Sequence, residues 1–151
     1  VNKITDVNKV ELKYKRPNRD ELIHVPNPDV AIKYLRTIID DGVLDLKEHC
    51  WLILMTSDNY LLGISEIGMG SIDNVKISLR NIVQTTLVAN AVRIVLVHNH
   101  TSGDLTFSRA DITTARHIRD TAIMMGIDLQ DSLIITSEKY SSIRDLLSDW
   151  E

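Results

Sequence analysis

Val30, Ala31, Tyr34, Leu35, Ile38 and Ile39 recur at three- and four-residue intervals, the spacing of a single helix face. Asn27 and Pro28 precede them, a capping side chain followed by a proline suited to the first helical turn. Asp40, Asp41 and Gly42 close the segment, with Gly42 as the expected cap. The period then changes. Residues 50–56 (CWLILMT) form a short apolar run, Ser57, Asp58 and Asn59 a polar turn, and 60–67 a second extended segment, which together predict a β-hairpin. Gly68, Gly70, Asp73 and Asn74 mark a loop, and Ser78 caps a helix with Leu79, Ile82, Val83, Thr86 and Leu87 on one face. Residues 92–97 (VRIVLV) are short, β-branched and almost wholly apolar, as a buried central strand should be. A helix over 109–125 ended by Gly126, a strand over 129–136 and a short closing helix over 142–147 complete the pattern. Ahead of it, residues to about Asn18 are polar with one alternating stretch, 10–15, read as an edge strand or an ordered arm. Alternating strands and helices predict an α/β sandwich around a mixed sheet, with 1–29 as the arm and 30–151 as the domain.

Composition adds bounds. The 151 residues suffice for one domain with a real core, and 44% hydrophobic with 25% charged residues is ordinary for a soluble globular chain. A formal charge of −4 gives no pull toward nucleic acid or an anionic membrane. The basic string at 13–16 reads as a solvated strand end. Cys50 is the sole cysteine and abuts an apolar run, so it reads as a buried thiol. No secretory signal or bilayer-length apolar stretch stands out, and the expected compartment is the cytoplasm. Oligomeric state is left open.

The chemistry concentrates in VHNHTSGDLTFSRAD, residues 97–111. Residues two apart in an extended chain point to one side, so His98 and His100 can aim both imidazoles at one point beyond the strand while Asn99 faces away. Two imidazoles at one point suit a divalent transition metal, most often zinc. Catalytic zinc usually takes three protein ligands, and Asp111 is the candidate third. It stands in register with Ala115, Ile118 and Ala122, the apolar stripe of its helix, so it should point inward. Ser108 and Asp111 also fit an S-x-x-D capping pattern, and the two roles are compatible. A hydrolytic site further needs a base for the water. Glu66 shares a period-two face with Leu62 and Ile64, a costly place for an unused carboxylate; a frayed, solvated strand end is the alternative. His24, His49 and His117 read as surface or structural, and Trp51 as core.

His98-x-His100, seven residues, Ser108, two residues, Asp111 resembles the JAMM motif of the MPN (JAB) metalloprotease superfamily. Within it, HNHTSGDLTFSRAD is similar to the RadC-like JAB domain, as are the segments 64–73, 89–91 and 129–131. The resemblance runs from about Val30 to Trp150, without the helix-hairpin-helix portion that longer RadC proteins carry in front. It implies a cytidine deaminase-like mixed-sheet fold and zinc (Zn2+) held by His98, His100 and Asp111. It also implies Glu66 acting on the bound water and Ser108 stabilising an oxyanion. Characterised relatives cleave isopeptide or peptide bonds, so the implied partner is a protein or peptide substrate; the RadC branch carries a DNA-repair label. Two positions depart from the family pattern: Thr101 replaces its usual proline and Ser132 its usual histidine.

The tripeptide HNH is not a nuclease signature, because such nucleases draw those residues from separated parts of a ββα-metal unit. Zinc deamination needs H-x-E and a downstream C-x-x-C, which one cysteine cannot supply. The main expectation is a metal-dependent hydrolase. The competing one is a non-catalytic metal-binding interaction module acting in DNA maintenance or on a mobile element.

Overall fold

The first helix, α1 (Pro28–Ile38), starts at its predicted cap: Asn27 Oδ1 accepts a hydrogen bond from Val30 N at 3.0 Å. It ends sooner than its glycine suggests. Ile39 is already extended (φ −96°, ψ 129°), and Gly42 takes its positive φ of 84° within the loop that follows. The structure is a computed structural model and describes residues 7–40, 42–69 and 77–150. The proposed loop residues Gly70, Asp73 and Asn74, with Ser71 and Ile72, lie outside the described residues.

The hairpin forms as β1 (His49–Met55) and β2 (Leu61–Met69), joined by a turn in which Asn59 has φ 63°. Ser78 caps α2 (Leu79–Val88), its side chain accepting from Asn81 N at 3.2 Å. Then come β3 (Arg93–Asn99), α3 (Arg109–Met124), β4 (Asp128–Ile135), β5 (Tyr140–Ser142) and α4 (Ile143–Leu146). Two of these differ from expectation: β3 runs two residues further and takes in His98 and Asn99, and β5 has only three residues, too few for a pattern to mark. Residues 7–18 carry no strand, and the arm reaches the sheet through the Tyr14 hydroxyl, which donates to Leu62 O at 2.9 Å.

The five strands lie in the order β2-β1-β3-β4-β5, with β3 and β4 parallel and the other pairs antiparallel. Strand alternation divides the core into two layers. Cys50, Leu52, Leu54, Ile94 and Leu96 pack with Ile82 of α2 and Ala115, Ile118 and Ala122 of α3. Trp51, Ile53, Met55, Val95 and Val97 pack on the other face with Ala31, Ile32 and Leu35 of α1. The result is the α/β/α sandwich around a mixed sheet that the alternation of elements predicts. Trp150 closes the first layer; its Nε1 donates to Gln130 O at 3.0 Å, and the Arg119 guanidinium lies 4.8 Å from its ring centre. Among the described residues, no helix is long and apolar enough to cross a membrane.

One predicted face holds only in part. Leu62 parts from Ile64 and Glu66, because the β1–β2 ladder shifts register between Leu54 and Met55, whereas Ile64 opposite Ile53 and Glu66 opposite Trp51 keep one face. Leu62 packs in the α2–α3 layer and Ile64 against the α1 layer. A bulge inserts an extra residue and resets the period-two count.

Candidate metal centre

Crevices beyond the carboxyl ends of parallel strands are the usual ligand positions of α/β sheets, and the motif occupies such an end. In β3, Ile94 and Leu96 face α3 while Val95 and Val97 face α1. His98 continues the first series and Asn99 the second. Asn99 is fully buried and uses its amide three times. Its Nδ2 donates to Leu44 O and Lys47 O, both at 2.9 Å, and its Oδ1 accepts from His49 N at 2.6 Å. The member of the motif that faces the α1 layer thus clamps the segment before β1 onto the strand that presents His98.

The two rings meet on the other side, their Nε2 atoms 3.2 Å apart. His100 Nδ1 lies 2.8 Å from Asp104 O. A carbonyl only accepts, so Nδ1 carries the proton there and neutral His100 presents a bare Nε2 inward.

The third group arrives by a capping box. Ser108 Oγ accepts from Asp111 N at 3.0 Å while Asp111 Oδ2 accepts from Ser108 N at 2.8 Å. The box fixes a carboxylate above the buried stripe of α3. Asp111 Oδ1 lies 3.4 Å from His98 Nε2, and Oδ2 lies 3.4 Å from His100 Nε2. One ligand atom from each of His98, His100 and Asp111 falls within 4.8 Å of the others, the one such group among the described residues. Burial pushes Asp111 upward, but His100, His98 and the Ser108 amide outweigh it and hold the carboxyl well below the usual carboxylate range. Asp111 in turn raises His100 against its partial burial, with help from the Asp104 carbonyl. Two nitrogens and a carboxylate, half-buried and turned toward one point, fit a zinc-like ion with room for a further ligand.

Glu66 does not join this group. Its Oε1 lies 2.5 Å from Nδ1 of His49, a residue the sequence leaves as surface or structural and the structure buries. The Glu66 carboxylate still bears on the centre's surroundings. Burial first, and the charge of Glu66 second, push the Cys50 thiol far above its usual value, and Cys50 is the β1 partner of His98. His49 was open to the period-two rule, since it precedes Trp51, Ile53 and Met55 on one face; its partner was not, because the register shifts decide which β2 residue stands beside it. His24 tilts against the Tyr60 ring at 5.1 Å, and His117 is exposed on α3.

Residues 25–148 match the family model described as the RadC-like JAB domain. The chain belongs to that family. Similar relatives include a UPF0758 protein of Clostridium novyi, 27% identical over 95% of this chain and 61% of the relative. A UPF0758 protein of Staphylococcus aureus is 33% identical over 80% of this chain and 52% of its own length. One from Desulfitobacterium hafniense is 33% identical over 66% of this chain and 44% of its own. The chain thus spans about half the length of these relatives. Thr101 and Ser132 occupy different surroundings. Thr101 sits in the turn after His100, where Gly103 N donates to His100 O at 3.1 Å. Ser132 is buried, pairs with Leu96 two residues before His98, and donates its N–H to Asp131 Oδ1 at 2.8 Å. Asp131 also accepts from Ser142 Oγ and Arg144 N, so it anchors β5 and α4.

Proposed function

We propose that this RadC-like JAB domain is a zinc-dependent hydrolase of amide bonds, peptide or isopeptide, in a protein or peptide substrate. The observation that carries the reading is the convergence of His98, His100 and Asp111 within 4.8 Å at the junction of β3 and α3, with His100 held in the tautomer that offers Nε2. Zinc bound there supplies Lewis-acid polarisation of the scissile carbonyl and acidifies a water at the open position. The remaining work falls to the chain's own residues. Glu66 takes a proton from the attacking water and returns it to the leaving amine, so an amide and a water become an acid and an amine. Ser108 accepts from Asp111 N through its oxygen, which leaves its hydroxyl proton to donate to the oxyanion. His98, His100 and Asp111 would hold the ion.

Protein purified without added metal is expected to carry about one zinc per chain by elemental analysis, and His98→Ala and Asp111→Ala to carry almost none. A metal-free wild type under those conditions ends the proposal. A second reading is a metal-binding module without hydrolysis, serving DNA maintenance or a mobile element; its lack of hydrolysis is favoured by one observation, that Glu66 lies outside the group of three. Full zinc occupancy with no hydrolysis of any peptide or isopeptide probe, and no difference between wild type and Glu66→Gln, would decide for it.

A further inference from the structure

His49 is a histidine with one use. Its side chain is 9% exposed, and its ring stacks on Trp51 with centres 5.5 Å apart and planes at 14°. Its backbone N–H donates to Asn99 Oδ1 at 2.6 Å. The ring is therefore held by a core tryptophan on one side and, through the backbone, by the strand that carries His98 and His100. Of its two nitrogens, Nδ1 lies 2.5 Å from Glu66 Oε1, while Nε2 is buried and finds no hydrogen-bond partner among the described residues. A carboxylate accepts, so the nitrogen facing it carries the proton. The opposite tautomer would set a bare nitrogen against a carboxylate and bury an unpaired N–H, two penalties in place of the single unpaired acceptor that remains here. An Nε2 with no partner also offers no exit for a proton, which argues against a relay.

We propose that His49 is the positioning residue of Glu66: its neutral imidazole, protonated at Nδ1, takes Oε1 and aims the carboxylate so that Oε2 serves as the base. Glu66 needs such a partner. Its side chain is 45% exposed and has three rotatable bonds, so without a partner it would sample many orientations and reach the productive one seldom. The clamp at Asn99 ties this arrangement to the metal centre. The same three residues, His98, Asn99 and His100, present two imidazoles on one face and fix the backbone of His49 from the other. Asn99 and His49 thereby link Glu66 to β3, the strand that presents His98. The geometric part stands without a metal; the catalytic part rests on the hydrolase reading above.

The test uses the full chain with zinc and two independent measurements. In long-range proton–nitrogen spectra of protein labelled with nitrogen-15 histidine, His49 is expected as the Nδ1–H tautomer, with a slowly exchanging Nδ1 proton that is lost or moves strongly in Glu66→Ala. A His49 protonated at Nε2, or a signal indifferent to Glu66→Ala, overturns the proposal. The second measurement is hydrolysis of a quenched-fluorescence library holding both peptide and lysine-isopeptide bonds. His49→Ala should keep its zinc and its KM and lose about 10- to 100-fold in kcat, the usual cost of removing a supporting partner. His49→Asn, whose Nδ2 overlies the imidazole Nδ1 and keeps a donor toward Glu66, should recover most of that loss. Wild-type kcat in His49→Ala, or no recovery in a folded His49→Asn, overturns the positioning role. A wild type that hydrolyses nothing in the library, with the Nδ1–H signal intact, removes the hydrolase reading and leaves the pairing standing.

Discussion

Asn99 carries the sharpest stability prediction of any single residue. Its amide satisfies two backbone carbonyls and one backbone N–H in a fully buried position. Asn99→Ala strands all three groups, and each unsatisfied buried group costs about 1–3 kcal/mol, so a loss of roughly 3 kcal/mol or more is expected. Urea unfolding of the variant against wild type measures it. Cys50 supports a simpler test. Its thiol is wholly buried and pushed upward, and the thiolate is the reactive form. Iodoacetamide is therefore expected to leave the native protein unmodified and to label it once unfolded; rapid native labelling would show that the strand opens. Much of this scale was legible in the sequence. The two-residue spacing of His98 and His100 put both on one side, and the register of Asp111 with Ala115 and Ile118 turned it inward. The His49–Glu66 pair was not, since it depends on a backbone irregularity that no residue type announces.

Among the elements, α3 does most to assemble the centre. Its N-terminus spends a reciprocal Ser108–Asp111 box on holding the carboxylate, so one pair of hydrogen bonds caps the helix and orients a ligand together. Ser108→Ala is expected to cost about 1 kcal/mol of stability, the ordinary value of a lost cap. It should also weaken zinc binding measurably by competition with a chromophoric chelator, although no ligand is removed. Equal zinc affinity in the variant would show that the packing of α3 alone fixes Asp111. The helices were readable because their caps and stripes are local: Asn27, Ser78 and Ser108 each stand where the structure begins a helix. The strands were readable in place but not in extent. β3 keeps its ladder through His98 and Asn99 because β1 and β4 pair with it there, a tertiary fact. β5 exists only because Leu133, Ile134 and Ile135 offer it an edge.

At the scale of the whole molecule, the centre sets how stability follows pH. Asp111 holds His100 above its ordinary value in the folded chain. That contribution is fully present below the unfolded imidazole value of about 6.5 and is lost as pH rises through the higher folded value. Asp111 is held low, so its contribution is present above the unfolded carboxyl value of about 3.9 and fades only in strong acid. The chelator-treated protein should therefore melt higher at pH 5.5 than at pH 8, and Asp111→Asn should abolish the difference. Added zinc competes with protons for the imidazoles, so the melting gain on adding it should grow from pH 5.5 to pH 7.5. Melts that are flat across this range in the wild type would mean that His100 and Asp111 do not pair in solution. The layout has one more consequence. His98 lies on β3, His100 just past it, Asp111 on α3 and Glu66 on β2, with β1 between β2 and β3, and the residues of β1 that Glu66 faces are set by the irregular β1–β2 register. A slip of one residue in that ladder turns every β2 side chain to the other face while leaving His98, His100 and Asp111 untouched. Insertions or deletions in the 56–60 turn can thus silence a chain of this design with its ligand set complete. Hairpin length, as much as the His98–His100–Asp111 motif, is then the trait to compare among relatives.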